Sequence, residues 1–319
     1  MVLLISYTLT FAAVLLLVAL GGCFSEHSGV INIGLEGIMV IGALGGALVM
    51  KFLPYDVATA TVLNDIVMFA SVVIASLLAG MIFSLLLAVA CINLKADQTI
   101  VGTAMNLLGT ALATVVVKSM NTAMNPDDHS SEIQYLDPKK AFQESIGSFE
   151  LSWFTVLAVV ILLISIVVLY KTRFGLRLRA CGEHPQAADS VGISVYRMRY
   201  AGVLISGVLG GLGGITFITS GVGIWKFETG VAGFGFLALA VMIFGAWDPA
   251  RIGMAALLFG FFRALGNTYM GFEFLKNLNI PTAVYNMLPY IVCLIVLAFT
   301  SKNSRAPKAE GIPYDKGQR

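Results

Sequence analysis

Apolar residues in this chain come in long unbroken runs, at about 3–22, 30–50, 66–91, 99–117, 151–170, 201–220, 233–247, 252–270 and 284–300. At a helical rise of about 1.5 Å per residue, runs of this length match a hydrocarbon core of roughly 30 Å. The pattern predicts an all-α polytopic membrane protein with roughly nine transmembrane or re-entrant helices. The runs are continuous and do not alternate, which argues against a β-barrel.

Charge sits between the runs and suggests an orientation. The 171–200 loop carries six Lys or Arg against Glu183 and Asp189, and the 301–319 tail carries five against Glu310 and Asp315. By the positive-inside rule both are expected to be cytoplasmic. The 118–150 loop has three lysines against six acids, with turn formers Asn125, Pro126, Asp127 and Asp128, and is expected outside. Nine crossings reconcile these assignments with an external N-terminus; a broken or re-entrant element over 30–50 would flip that end. The chain thus reads as one membrane domain over 1–300. A disordered cytoplasmic tail follows over 301–319, and the external loop is expected to be solvated more than to act as a docking surface.

Composition agrees: 58% apolar residues, 12% charged residues and a mean hydropathy of +0.87 lie far from a soluble average. The 33 glycines favour close helix packing and broken helices, since backbone polar groups in lipid must be satisfied internally. GxxxG spacings at Gly42/Gly46, Gly207/Gly211 and Gly210/Gly214 predict close helix crossings.

Little in the sequence suggests an enzyme. It contains no GxxxxGK[ST] loop, HExxH, GxSxG or dinucleotide fingerprint, so no catalytic residues, cofactor or metal site are predicted. The cysteines Cys23, Cys91, Cys181 and Cys293 lack metal-ligand spacing and suggest no disulfide framework. Cys23 follows Leu20, Gly21 and Gly22 in a faint imitation of a lipoprotein cleavage site, but no basic region precedes the apolar leader. The histidines His27, His129 and His184 stand apart from one another and read as loop residues.

Three polar groups lie within apolar runs. In SGVINIGLEGIMVIG, Asn32 and Glu36 are four residues apart and share a helix face, near Gly29, Gly34 and Gly37. A carboxylate there costs several kcal/mol unless paired or hydrated. Two readings stand equally: Glu36 lines a solute pathway, or it satisfies the amides of a broken helix. Asn106 in DQTIVGTAMNLLG reads more as an interhelical hydrogen-bonding residue than as a solute contact. Arg263 in FGFFRALG is deeper than a snorkelling arginine, so pairing within the bundle and solute contact remain alternatives.

The segment GLRLRACGEHPQAADSVGIS, residues 175–194, is the chain's most distinctive polar stretch. Glu183, His184 and Pro185 can open a short helix, and Gly192 can end it. Ala187, Ala188, Val191 and Ile193 would offer small and apolar surface to a partner groove. Arg177 and Arg179 on one flank, with Arg197 and Arg199 on the other, would hold anionic headgroups or acidic partner residues. The QAADSVG stretch resembles the docking loop of bacterial ABC importer permeases, whose pattern is EAAxxxG, with Gln186 in place of the glutamate. Further stretches, SGVINIGLEGIMVIGA, DQTIVGTAMNLLGTALA and GFGFLALAVMIFGAWDPARIGMAALLFGFFRALG, resemble the simple-sugar and nucleoside branch of those permeases, related to the branched-chain amino acid group. They look most like the nucleoside subgroup, with Asp248 where an asparagine often precedes the proline.

The resemblance implies a type II-like importer permease in a bacterial plasma membrane that works by alternating access. It implies partners too: cytoplasmic ATPase subunits, a second homologous permease forming a heterodimer, and an external substrate-binding protein, with no nucleic acid. The ATPase-coupling residues would be Arg177, Arg179, Gly182, Glu183, Pro185, Ala187, Ala188 and Gly192. The translocation pathway would include Asn32, Gly34, Glu36, Asn106 and Arg263. Nucleosides are the favoured solute, with ribose-like sugars or branched-chain amino acids as alternatives. A different class, an ion-coupled secondary carrier using Glu36 or Asp65, is weakly suggested by the likeness of SGVINIGLEG to GVAGFGFLAL.

Overall fold

A computed structural model describes residues 2–53, 55, 61–134, 142–146, 149–220, 224–277, 281–300 and 306–317. The expectation of a polytopic all-α membrane protein holds. Among the described residues, eight helical segments are long and apolar enough to cross a membrane. Their helices are α1 (Val2–His27), α2 (Leu35–Phe52), α3 (Val62–Ala88), α4 (Gln98–Met124), α5 (Trp153–Lys171), α8 (Val195–Ile218), α9 (Phe234–Phe244) and α10 (Pro249–Thr268), the segment of α9 reaching full length only with the residues from the 3-10 turn Phe227–Thr229 onward. Between α5 and α8 lie α6 (Arg173–Glu183) and α7 (Pro185–Ser190), and after α10 come α11 (Glu273–Asn277) and α12 (Thr282–Thr300). Short strands β1 (Glu132–Gln134), β2 (Gln143–Ile146), β3 (Phe149–Ser152) and β4 (Ile224–Lys226) form two small antiparallel pairs.

Helices α1, α2, α3 and α8 make the centre of the bundle, and glycine lets their backbones touch. A methyl group on Gly42 of α2 would collide with Gly211 of α8, and one on Gly80 of α3 with the Gly207 carbonyl. Ser76 of α3 bridges the same crossing, its hydroxyl lying 2.8 Å from the Gly42 carbonyl and 2.7 Å from that of Gly211. The GxxxG spacings therefore mark close helix crossings, as expected. The outward faces of α3, α4 and α5 keep large aliphatic side chains exposed, as lipid-facing helices do.

The bundle has two distinct ends. At one, the basic end, the close of α1 meets α6, and the Tyr200 hydroxyl donates to Asn93 Oδ1 at 2.6 Å. At the other, the hairpin end, Lys51 at the close of α2 reaches Asn121 near the close of α4 at 3.3 Å. The 30–50 run is broken, and α2 begins only at Leu35. It still rises to the hairpin end, so the start of α1 stays opposite the basic segment and the break does not reverse the chain.

Two sequence expectations need correction. The 118–150 loop is exposed at 123–127, 129, 132 and 134, as a solvated loop would be, but it is also anchored by packing and pairing. Strand β1 pairs with β4 across Ile133 and Trp225, Asn121 Nδ2 donates to the carbonyls of Ser130 and Glu132, and Phe142 is buried. Residues 135–141 and 147–148 of that loop lie outside the described residues. The tail is not a free coil over 306–317: the Ala309 amide donates to the Gly182 carbonyl at 2.8 Å, and Ala309 and Tyr314 are buried. Apolar side chains from a nominally polar tail find a groove there, which composition does not reveal.

Candidate functional site

The middle of the bundle holds a half-length helix. The chain leaves β4 at the hairpin end and descends through Gly230, Ala232 and Gly233, all at positive φ. After a 3-10 turn over Phe227–Thr229 it becomes α-helical only at Phe234. The 11 residues of α9 span about 16 Å, roughly half a membrane core. A helix that starts inside the bundle leaves its first amides without water or an intrahelical acceptor. Glu36 supplies the acceptors: Oε1 takes the Gly233 amide at 2.8 Å and Oε2 that of Gly235 at 2.7 Å. Glu36 itself lies in the first turn of α2, so two helix N-termini converge on one carboxylate, which both dipoles favour. A methyl group on Gly235 would lie 2.5 Å from the Glu36 amide, so glycine is what permits the approach.

Of the two readings of Glu36, its geometry is that of the group that satisfies a broken helix. Asn106 acts alike at the start of α2: its Oδ1 accepts the Gly37 amide at 2.8 Å and its Nδ2 donates to the Ile33 carbonyl at 3.0 Å. Gly34 occupies the N-cap position of that helix. Asn32 is fully buried and donates to Ser206 Oγ of α8 at 2.8 Å. These four predicted pathway residues thus cluster where the helices are interrupted. Asp65, by contrast, sits at the hairpin end, where it accepts from the Tyr55 hydroxyl.

Arg263 belongs elsewhere. It lines a cavity of about 280 Å³ between the start of α1, the end of α8, β4 and α10. Tyr7, Phe11, Phe217 and Trp225 give it aromatic walls, while Ser220, Asn267 and Arg263 add polar groups. Phe217 meets Trp225 edge-on at 5.3 Å between centroids. The Arg263 guanidinium lies 5.4 Å from the ring centre of Phe234 and 5.9 Å from that of Phe11. Ala232, one residue before the N-cap of α9, forms part of the floor. The aromatic wall is not apparent in the sequence, because Phe and Trp in an apolar run look the same whether they face lipid or a cavity.

At the basic end, α6 and α7 form the predicted short helical element, with Pro185 in the first turn of α7 and Gly192 at φ +83° beyond its end. Its faces differ from expectation. Ala187 and Val191 are exposed, Val191 to 74%, as are Arg177, Glu183 and Gly192. Ala188 and Pro185 are buried, and Ala188 packs with Cys181, Val195 and Tyr314 of the tail. Gly182 is buried against the His27 carbonyl. The Arg179 guanidinium lies 4.9 Å from the Tyr170 ring centre. Arg199, expected at anionic headgroups or acidic partner residues, is instead 1% exposed and lies against Gly29.

The tail runs across this element as a strap. Tyr314 meets Tyr196 at 5.6 Å between centroids, and Asp315 pairs with Lys95 at 3.0 Å. The Gly317 amide and Lys95 hold the Asp315 carboxyl below its ordinary value. Burial pushes the Glu310 carboxyl up, and Glu310 hydrogen-bonds to the buried Glu26, an arrangement that needs a shared proton. Burial also pushes the Cys181 thiol up to about 11.

Glu26 accepts from Trp247 Nε1 at 2.5 Å, and Trp247 and Ala246 both hold positive φ in the turn between α9 and α10. The Trp247 carbonyl receives Cys23 Sγ at 3.2 Å and His27 Nε2 at 3.0 Å, contacts that over-determine a strained turn. Asp248 then caps α10 through the amides of Ala250 and Arg251. An asparagine oxygen would serve equally there. All four cysteines are free, and among the described residues no group of His, Cys, Asp or Glu is arranged to hold a metal.

The family described as the permease component of the branched-chain amino acid transport system matches residues 4–297. The guanosine ABC transporter permease NupQ of Bacillus subtilis is 39% identical over 317 residues, 98% of this chain and 96% of that protein. The nucleoside ABC transporter permease NupC of Lactococcus lactis is 38% identical, covering 97% and 96%. NupB of the same organism, also named as a nucleoside ABC transporter permease, is 22% identical, covering 97% and 83%. No solved structure matches the chain.

Proposed function

This chain belongs to the family of branched-chain amino acid transport system permease components, and from that premise we propose that it forms half of an ATP-driven nucleoside importer. The observation that carries the solute assignment is the end-to-end likeness, at 38–39% identity, to permeases named for guanosine and nucleosides. ATP hydrolysis belongs to separate cytoplasmic subunits that receive the exposed face of α7. Movement of that helix reaches α1 through α6, whose Gly182 packs on His27, and reaches the turn between α3 and α4 through the strap's contact with Lys95. Rigid tilting of the bundle then opens the pathway to alternate sides. A substrate-binding protein delivers solute at the hairpin end. A second, different permease completes the pathway, consistent with two related nucleoside permeases in Lactococcus lactis.

The test is nucleoside uptake in cells carrying the complete transporter with Ala187→Arg. This exposed change is expected to abolish uptake and ATPase co-purification while leaving membrane insertion normal. Undiminished uptake would remove α7 from the coupling role.

A further inference from the structure

Two cavities of similar size lie in the helical bundle, and their linings assign them different occupants. The one between α1, α5 and α10, about 250 Å³, is lined by aliphatic side chains, alanines, a glycine and a single threonine. Nothing there can orient a polar solute. The second, about 280 Å³ at the hairpin end, combines aromatic faces with a guanidinium and a carboxamide. Concave sites of this kind bind ligands by apolar walls and a few placed polar groups.

We propose that this second cavity is a transient site for the base of a 6-oxopurine nucleoside, with Trp225 as the stacking face, Phe217 edge-on against it, and Arg263 and Asn267 reading the base edge. The proposal rests on the nucleoside reading above and goes on to name the class of base.

Aromatic side chains stack on any nucleobase, since every base has a π-face, so the wall supplies affinity without discrimination. Discrimination comes from Arg263. A guanidinium is donor-only, and a 6-oxopurine presents two adjacent acceptors, O6 and N7, that such a fork matches. Adenine places an amino donor beside N7, opposing the same fork. Asn267, one helical turn along α10 from Arg263, offers both donor and acceptor. The cavity floor at Ala232 leads directly into the Gly233 turn held by Glu36. A base leaving the site inward therefore meets the start of the interrupted helix α9. Trp225 sits on β4, whose partner β1 belongs to the 118–150 loop, so the wall's position depends on that loop.

The experiment uses the complete transporter in proteoliposomes with one binding protein throughout, so that changes in selectivity arise in the permease. Uptake of guanosine, inosine, adenosine and cytidine is compared in wild type, Arg263→Gln and Trp225→Leu, with co-purification of the ATPase subunits as the measure of assembly. Arg263→Gln is expected to lower the guanosine-to-adenosine uptake ratio about tenfold. Trp225→Leu is expected to slow all four nucleosides with the ratio retained. Should Arg263→Gln fail to assemble, Arg263→Lys replaces it, keeping the charge but not the planar fork, with the same direction expected. Unchanged ratio and rates in assembled variants overturn the site while leaving the nucleoside reading intact. Uptake of ribose or leucine with no nucleoside carried by wild type overturns the reading itself.

Discussion

Glu36 is the residue on which the interior most depends, because each of its oxygens accepts one amide of a helix that begins inside the bundle. Replacing it with Gln sets an amide donor against a backbone donor at one of the two positions. A hydrogen bond to a charged group contributes about 1.5–3 kcal/mol, so Glu36→Gln should destabilise the solubilised protein by roughly 2 kcal/mol and Glu36→Ala by more. Thermal unfolding in detergent measures this, and an unchanged midpoint for Glu36→Gln would mean that α9 does not need the carboxylate. The sequence already marked Glu36 and Asn106 as exceptional, since polar groups in apolar runs need partners. It did not reveal the partners, because Glu36 and Gly233 are 197 residues apart and glycine amides have no signature. The interhelical reading of Asn106 agrees with its two bonds to the start of α2.

Among the elements, the strap over 306–317 sets the placement of the docking helix. Its surface ion pair, Lys95 with Asp315, contributes at most about 1 kcal/mol. Burial of the Tyr314 ring, worth about 1.5–3 kcal/mol, and the bond from Ala309 to Gly182 hold it more firmly. Beneath it Cys181 is fully buried, with its thiol pushed up to about 11 from an ordinary 9.0. A raised thiol value keeps the protonated, unreactive form across pH 7 to 9. Maleimide labelling of Cys181 in a variant lacking the other three cysteines should therefore stay slow over that range. Truncation before residue 306 should speed it at least about tenfold and make it rise with pH as an ordinary thiol does. Equal labelling of both proteins would show that the strap does not cover this site. The helix start at Pro185 and stop at Gly192 were legible from local chemistry. Which face of α7 points outward was not, because six residues carry too little periodicity and the covering strap lies more than 100 residues downstream.

For the whole molecule, hydropathy located the crossings and loop charge ordered their ends, since both follow from the cost of placing polar groups in hydrocarbon. The half-length of α9 escaped the sequence because an apolar run of 233–247 reads the same whether it crosses fully or begins midway. The aromatic cavity escaped it because its walls come from α1, α8 and β4, elements distant along the chain. The resulting architecture has a docking helix at one end, an open aromatic cavity at the other and a carboxylate-held half-helix between them. It fits a pathway driven from the basic end by a partner's nucleotide cycle. The most direct test is nucleoside uptake by the complete reconstituted transporter, energised either by internal ATP alone or by a proton or sodium gradient alone. ATP alone should drive accumulation, and the gradients alone should drive none. Accumulation on a gradient without ATP would contradict the account and restore the ion-coupled carrier.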